Sequence, residues 1–192
     1  KKNKKIKKKK KKKKKIIFLS ELSSGLNKQN FLKCASYKIV GYSNSQLRTE
    51  IVFEELLIAL KNFKGQFELT VRLHPKEKLE YYKSYRPSID NFSIDENSFS
   101  ALCQSDLAVG LTTNMLCEAC LLNIPVLSIT PRKKEFEWIN SDFKPYVDNV
   151  NDKLQLQLYF KKFFEGKIKP KKIILNKQRF SDTIINLFSN IN

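Results

Sequence analysis

The stretch DLAVGLTTNMLCEACLLNIPVLSI (residues 106–129) decides the fold class. Its two apolar runs, LAVGL (107–111) and PVLSI (125–129), are short and continuous, which is typical of strands buried on both faces. Residues 114–122 between them have the apolar spacing of a helix. A strand, a helix and a second strand in this order indicate a parallel sheet.

The same alternation continues outward from this stretch. Strands are predicted at residues 15–20, 67–74 and 92–95, and helices at residues 46–63, 77–85 and 98–105. Two further helices, at 153–166 and 181–191, follow with little strand between them, apart from a candidate strand at 171–175. We therefore predict an α/β fold, a Rossmann-like doubly wound parallel sheet with C-terminal helices.

The positive charge of the chain is concentrated at its amino terminus. Residues 1–15 hold 13 of the 37 Lys and Arg residues, which leaves 24 basic and 19 acidic residues in the remainder. Like charges without apolar partners do not fold, so we predict a disordered tail over 1–14 and one Rossmann-like domain over 15–192. The tail either attracts an anionic membrane or another polyanion, or is a low-complexity arm without a specific partner.

The sequence predicts a cytoplasmic protein, with peripheral contact at the inner membrane face left open. No apolar run reaches membrane-spanning length, and the four residues IIFL after the lysines are too few for a signal peptide. Cys117 and Cys120 have CxxC spacing, but no second pair accompanies them. We interpret them as small buried residues rather than metal ligands or redox groups.

The residues that follow the predicted strands are polar or basic. Open parallel sheets bind ligands beyond the carboxyl ends of their strands, so these positions are the place to look for a site. They are residues 20–25, 74–75, 112–114 and 130–134. Their shared polarity is the main evidence in the sequence for a binding site.

Thr112, Thr113 and Asn114 stand where a strand ends and a helix begins. Free N–H groups and the helix dipole attract phosphate there, and the hydroxyls add donors. Ordinary capping by Thr113 or Asn114 explains the same residues without a ligand. Glu118 lies about one turn further on, outside a capping box, and a carboxylate on this apolar helix needs a partner, either a ribose diol or an Arg or Lys.

His74 is the single histidine of the chain, and it ends a predicted strand. Pro75 stops further ladder pairing, and alternation places Arg72 on the same face as His74. An imidazole there can bind a phosphate and carry a proton near neutral pH. We predict His74 as the catalytic residue. Three further residues could add positive charge nearby, Arg72, Arg132 and Lys133.

The sequence lacks several familiar catalytic motifs. It contains no GxGxxG, no GxxxxGK[ST], no GxSxG, no HExxH and no DxD. These absences argue against a dinucleotide redox fold of the usual kind, a P-loop protein, a nucleophile-elbow hydrolase and an HExxH metalloprotease. We predict no metal site.

Two stretches resemble the C-terminal, nucleotide-binding half of GT-B glycosyltransferases: VRLHP (71–75) and SDLAVGLTTNMLCEACLLNIPVLSI (105–129). The most similar branch includes the bacterial capsule sialyl- and polysialyltransferases and the CDP-glycerol glycerophosphotransferases, which carry a His-Pro motif and a paired Ser/Thr motif. The resemblance implies that His74, Thr112 and Thr113 contact the nucleotide phosphates and that Glu118 holds the ribose. Asn123 stands where Gly is usual, and Asn also tolerates the left-handed conformation of a helix end.

The resemblance implies a metal-independent glycosyltransferase lobe for surface polysaccharide synthesis. Its substrates would be a CMP-, CDP- or UDP-linked sugar and a glycan or lipid-linked acceptor, with no cofactor and no specific nucleic acid. Fixed donors would stabilise the charge of the departing nucleotide. The residues predicted to bind the nucleotide are Ser20, Arg72, Thr112, Thr113, Asn114 and Glu118.

Two other functions remain open. Similar motifs occur in UDP-GlcNAc 2-epimerases, and a protein without enzymatic activity could bind membranes or polyanions through the Lys tail. Only fourteen residues precede the first predicted strand. We therefore expect an acceptor lobe to come from a longer chain or from a partner, or the protein to be inactive alone.

Overall fold

The computed structural model describes residues 12–22, 38–42, 47–94 and 97–173. Within these residues, six strands form one sheet in the order β3-β2-β1-β4-β5-β6, and every neighbouring pair is parallel. The strands are β1 (Lys14–Leu19), β2 (Phe67–Arg72), β3 (Asn91–Ser93), β4 (Leu107–Gly110), β5 (Val126–Ile129) and β6 (Asp148–Val150). The predicted α/β, Rossmann-like parallel sheet is confirmed.

Helices connect these strands. The α-helices are α1 (Arg48–Leu60), α2 (Ser98–Cys103), α3 (Met115–Leu121) and α4 (Lys153–Phe164), and 3₁₀ segments lie at Lys61–Phe63, Leu79–Ser88, Lys133–Trp138 and Lys144–Tyr146. The Asp152 side chain caps α4 by accepting from the Gln155 N–H at 2.8 Å, which satisfies one free donor of the first turn. No described helix is long and apolar enough to cross a membrane.

The sheet is buried on both faces, as the continuous apolar runs of the sequence predict. Ile16 and Phe18 of β1 point into one core cluster together with residues of α1 and α4. Ile17 and Leu19 point into the other cluster together with residues of α2 and α3. All four side chains are at most 1% exposed. Such strands lack the alternation of apolar and polar residues that is typical of a sheet with one face exposed to solvent.

The helix α3 ends in a Schellman motif. The N–H of Ile124 donates to the carbonyl of Ala119 at 3.1 Å, and the N–H of Asn123 donates to the carbonyl of Cys120 at 3.0 Å. Asn123 has φ 57°, so it adopts the left-handed conformation that the sequence predicts for it.

The topology creates a switch point between β1 and β4. The chain moves outward from β1 through β2 to β3, then returns to place β4 on the other side of β1. Gly110 at the end of β4 allows close packing here, because a Cβ atom would lie 3.2 Å from Leu116 Cδ2 and 3.3 Å from the Leu19 carbonyl oxygen. Rossmann-like sheets bind ligands in the crevice above such a point.

Several boundaries differ from the sequence predictions. β1 begins at Lys14, so the last residue of the predicted tail belongs to the sheet, while residues 1–11 lie outside the described part of the chain. The predicted helix at 77–85 is a 3₁₀ segment, Leu79–Ser88, which contains Pro87. β6 was not predicted because only Val150 of its three residues is buried. The predicted helix at 181–191 and the end of the candidate strand at 171–175 lie outside the described residues.

Candidate functional site

The residues predicted to form the site lie at one edge of the sheet. Ser20 follows β1, His74 follows β2, Thr112 follows β4 and Arg132 follows β5. Because all these strands are parallel, their carboxyl ends meet at the same edge. β1 separates β2 from β4, so the backbones of these two strands are about 10 Å apart.

The Glu21 side chain, which follows β1, connects to the residue that follows β4 at the switch point between these strands. Thr112 binds the Glu21 carboxylate twice, through its N–H to Oε2 at 2.9 Å and through its hydroxyl to Oε1 at 3.1 Å. Arg48, the first residue of α1, donates to the same carboxylate from Nη1 and to the Thr112 hydroxyl oxygen from Nη2 at 3.3 Å. Thr112 therefore does donate its N–H and hydroxyl to an anion, as the sequence suggests, but in this structure the anion is Glu21.

Two further charges extend this contact into a chain of ion pairs. Glu135, in the 3₁₀ segment after β5, accepts from Arg48 Nε at 2.8 Å and from Arg132 Nε at 2.5 Å. The Trp138 ring lies beside both guanidinium groups, with centroid distances of 5.1 Å to Arg48 and 5.8 Å to Arg132. We call Glu21, Arg48, Glu135 and Arg132 the ion-pair chain. Its two negative and two positive charges cancel.

Thr113 and Asn114 lie at the start of α3. The Thr113 hydroxyl accepts from the Met115 N–H at 3.4 Å, so it contributes a long capping bond. Asn114 occupies the N-cap position with helical dihedral angles, and its side chain makes no capping bond. Glu118 is half-buried on α3. The bond to the Met115 N–H fits the capping alternative for Thr113, and the roles predicted for Thr113, Asn114 and Glu118 in nucleotide binding stay predictions.

The His74 ring is half-buried and held by its own turn. Its Nδ1 accepts from the Lys76 N–H at 3.2 Å, and its backbone N–H donates to Glu77 Oε2 at 3.0 Å. With Nδ1 acting as an acceptor, the neutral imidazole carries its proton on Nε2. His74 can therefore donate a hydrogen bond from Nε2 to an anion beyond β2.

Arg72 and Ser20 both make internal contacts. Arg72 Nη1 donates to Ser93 Oγ and to the Ile94 carbonyl, each at 3.0 Å, and so holds the end of β3. The Ser20 hydroxyl is 2.6 Å from the Tyr82 hydroxyl, and Ser20 is 3% exposed. Burial raises the pKa of Tyr82, so this phenol stays protonated at neutral pH. The predicted nucleotide contacts of these two residues remain predictions.

The sequence did not identify Glu21, Arg48 or Glu135 individually as members of the site. Glu21 lies in the range 20–25 that follows the first predicted strand but was not singled out there, and Arg48 was assigned only to the predicted helix at 46–63. The available signals were an acidic residue directly after a buried strand and the spacing of Arg132 and Glu135. None of these indicates which partner each charge has in the folded chain.

Two of the described cysteines belong to the core. Cys117 and Cys120 are buried in α3, as predicted, and burial raises the pKa of both thiols to about 12. Cys103 is exposed, whereas Cys34 lies outside the described residues. Over the described ranges, no group of three or more His, Cys, Asp or Glu residues is arranged to hold a metal ion.

A cavity of about 500 Å³ lies at the opposite, amino-terminal edge of the sheet. Its walls include Leu60, Lys61, Lys64, Phe67 and Ile89. None of the residues predicted from the sequence to form the site lines it. We place the candidate site at the carboxyl edge, because the topology and the convergent donors meet there.

Comparisons with known proteins support the fold. No protein-family model matches the chain, and no curated protein matches it. Among solved structures, the UDP-GlcNAc 2-epimerase from Neisseria meningitidis bound to UDP-GlcNAc matches with a TM-score of 0.51 and 11% identity, over 94% of this chain and 45% of that chain. The fold is Rossmann-like and GT-B-like.

Two structures of KpsC from Thermosulfurimonas dismutans also match. KpsC, beta Kdo 2,7 transferase, has a TM-score of 0.43 and 14% identity over 76% of this chain and 41% of that chain. KpsC, beta Kdo 2,4 transferase, has a TM-score of 0.40 and 14% identity over 64% of this chain and 35% of that chain. The chain spans less than half the length of each of these three proteins.

Proposed function

We propose that the chain is the nucleotide-sugar-binding lobe of a GT-B glycosyltransferase that builds a surface polysaccharide. The observation that carries this proposal is the position of His74 and Thr112. They follow the two strands that flank β1, so they lie on either side of the β1 end at the carboxyl edge. A diphosphate or a phosphate with its sugar can bridge two such donors, and the switch point provides the crevice.

The roles of the residues follow from their chemistry. His74 Nε2–H and the hydroxyls of Thr112 and Thr113 would bind the phosphates of the donor, and Glu118 would accept hydroxyl protons of the ribose. His74 is oriented by the Lys76 N–H, so its donor is fixed before the ligand arrives. Fixed donors of this kind stabilise the negative charge that develops on a departing nucleotide. This mechanism needs no metal and no nucleophile from the protein.

Activity would require a second lobe. The chain spans less than half of the compared proteins, so a further segment or a partner would bind the glycan or lipid-linked acceptor. We place the reaction in the cytoplasm or at the inner membrane face, where nucleotide-linked sugars and anionic lipid are both available to the protein.

Calorimetry without metal tests the proposal. CMP, CDP and UDP are titrated into the wild-type protein, His74→Ala and the control Lys162→Ala, which changes an exposed residue of α4. We expect saturable binding of one nucleotide that His74→Ala weakens about tenfold, because a hydrogen bond to a charged group contributes about 1.5 kcal/mol or more. Absence of binding by all three nucleotides, or equal affinity in His74→Ala, would refute the proposal.

The same titration separates the alternatives. Preference for CMP or CDP favours the capsule-transferase and glycerophosphotransferase branch. Preference for UDP indicates a lobe for UDP-linked sugars, either of a UDP-dependent transferase or of a 2-epimerase-like enzyme, the class whose solved structure holds UDP-GlcNAc. A variant that lacks residues 1–11 tests the polyanion alternative and leaves Lys14 in β1. If the Lys tail carries the function, heparin binding is lost with it, while nucleotide binding never appears.

A further inference from the structure

Three donors from two distant segments converge on one position beside the switch point. They are the N–H and the hydroxyl of Thr112 and the guanidinium of Arg48, and together they hold the Glu21 carboxylate. We call this position the anion seat. Arg48 is 5% exposed, so a buried positive charge forms its wall. The structure thus shows that the seat accepts a negatively charged oxygen pair.

The Glu21 carboxylate can leave the anion seat without unfolding of the surrounding structure. The Glu21 side chain is 13% exposed and therefore reaches solvent. The backbone of Glu21 is held separately, because the Thr49 hydroxyl donates to its carbonyl at 2.6 Å. Rotation of the Glu21 side chain alone would vacate the seat while β1 and α1 keep their positions.

The donors stay in place when Glu21 leaves. Arg48 remains bound to Glu135 at 2.8 Å and stacked beside Trp138, so its guanidinium cannot follow Glu21 outward. Withdrawal of Glu21 removes one of the two carboxylates that Arg48 binds and leaves Arg48 with Glu135, which it shares with Arg132. Losing a partner is costly for a buried charge, so the vacated seat attracts another anion. A phosphate suits it, because its oxygens can accept from a guanidinium and from N–H and O–H donors at once.

We propose that Glu21 is an internal competitor for the anion seat, and that a phosphate group of the ligand binds by displacing its carboxylate. The identity of this ligand as a nucleotide rests on the proposed function, whereas the seat itself rests on the contacts of Thr112 and Arg48. Glu21 then sets the phosphate affinity of the lobe and keeps the site closed until a ligand with two or more anionic oxygens arrives.

Titration with inorganic pyrophosphate tests this inference. Glu21→Gln keeps the shape of the side chain but removes the charge that competes, and Glu21→Asp keeps the charge on a side chain one methylene shorter. The control is Glu137→Gln, which removes one negative charge from an exposed residue of the 3₁₀ segment that contains Glu135. We expect both Glu21 variants to bind pyrophosphate about tenfold more tightly than wild type, and the control to stay within about twofold.

A second substitution tests whether the tighter pyrophosphate binding occurs at the anion seat. Thr112→Val in the Glu21→Gln background removes the hydroxyl donor and should reverse most of the increase. Thermal denaturation identifies any variant that fails to fold. If Glu21→Gln does not fold, the pyrophosphate affinity of Glu21→Asp is used instead. Unchanged or weaker pyrophosphate binding in the folded Glu21 variants would overturn the inference.

The outcomes distinguish this inference from the proposed function. If a nucleotide binds wild type and the Glu21 variants equally, the displacement is wrong and the proposed function stands. If the Glu21 variants bind pyrophosphate more tightly and no nucleotide binds any variant, the anion seat is correct and the proposed function is wrong.

Discussion

Arg48 Nε donates to Glu135 Oε2 at 2.8 Å, although 87 residues separate the two in the sequence. Both side chains are almost fully excluded from solvent, with 5% and 1% exposed. Arg48 begins α1, and Glu135 follows β5, so this pair links the elements that surround the switch point. Removing two charges from water costs free energy, which offsets much of their attraction. The pair therefore affects stability most clearly when one partner is removed and the other stays buried without it.

We expect Glu135→Ala to lower the free energy of unfolding by about 3 kcal/mol, because it leaves two guanidinium groups without their shared partner. Urea denaturation followed by circular dichroism measures the change. Glu137→Ala is the control, since Glu137 is 72% exposed and its ion pair with Lys144 should contribute no more than about 0.5 kcal/mol. A cost below about 1 kcal/mol for Glu135→Ala would show that the buried pair is not needed for stability.

The buried hydroxyl pair of Ser20 and Tyr82 predicts non-additive stability changes. Ser20→Ala and Tyr82→Phe should each cost about 1–2 kcal/mol, because each leaves one buried hydroxyl without its partner, and the double variant should cost less than the sum. Nucleotide affinity of Ser20→Ala tests the predicted ligand contact, and an affinity equal to that of wild type would limit Ser20 to the buried pair. Reduced affinity with unchanged stability would instead assign Ser20 to the ligand, as the sequence predicted.

Most of the sheet was predictable because its strands are buried on both faces. LAVGL and PVLSI are continuous apolar runs for that reason, and such runs can be recognised without knowledge of their neighbours. β6 was missed because Asp148 and Asn149 are polar. Asn149 is nevertheless placed by long-range contacts, since its Nδ2 donates to Thr130 Oγ1 at 3.0 Å. Local sequence patterns do not contain that information.

The site was predicted only in part, for a related reason. Parallel topology brings every residue that follows a strand to one edge, so the locations of His74 and Thr112 followed from the order of the elements. The partner of Thr112 did not, because Glu21 lies 91 residues away in the sequence. Pairing between distant charges depends on the folded positions of loops, which periodicity does not determine. The same limit applies to Ser20, whose partner Tyr82 lies in a 3₁₀ segment.

The left-handed conformation of Asn123 predicts opposite effects for two small substitutions. Asn123→Ala should lower the free energy of unfolding by about 1 kcal/mol, because a Cβ with no compensating polar group is strained at φ 57°. Asn123→Gly should be neutral or slightly stabilising, since glycine adopts this conformation without strain. Urea denaturation of both variants measures the difference. Equal stability of the two would contradict the assigned helix end.

The buried thiols of α3 should resist modification in the folded protein. The variant Cys34→Ser leaves Cys103, Cys117 and Cys120. At pH 8 a thiol reagent such as DTNB should modify one cysteine rapidly, the exposed Cys103, and the other two only after unfolding in urea. The pKa of about 12 keeps Cys117 and Cys120 as unreactive thiols at this pH. Rapid modification of three thiols under native conditions would show that α3 is not packed as described.

Burial of the Cys117 and Cys120 thiols should also make the folded protein less stable at alkaline pH. In the unfolded chain a thiol has its ordinary pKa of 9.0, whereas the folded pKa of Cys117 is about 12. Between these values the unfolded state binds fewer protons, so the stabilisation is complete below pH 9 and is lost as pH rises toward 12. We expect the free energy of unfolding to fall between pH 8 and pH 10.5, and to fall by about 1–2 kcal/mol less in Cys117→Ala, which has one titrating thiol fewer. Urea denaturation at both pH values measures this, and an equal fall in the two proteins would contradict the raised pKa.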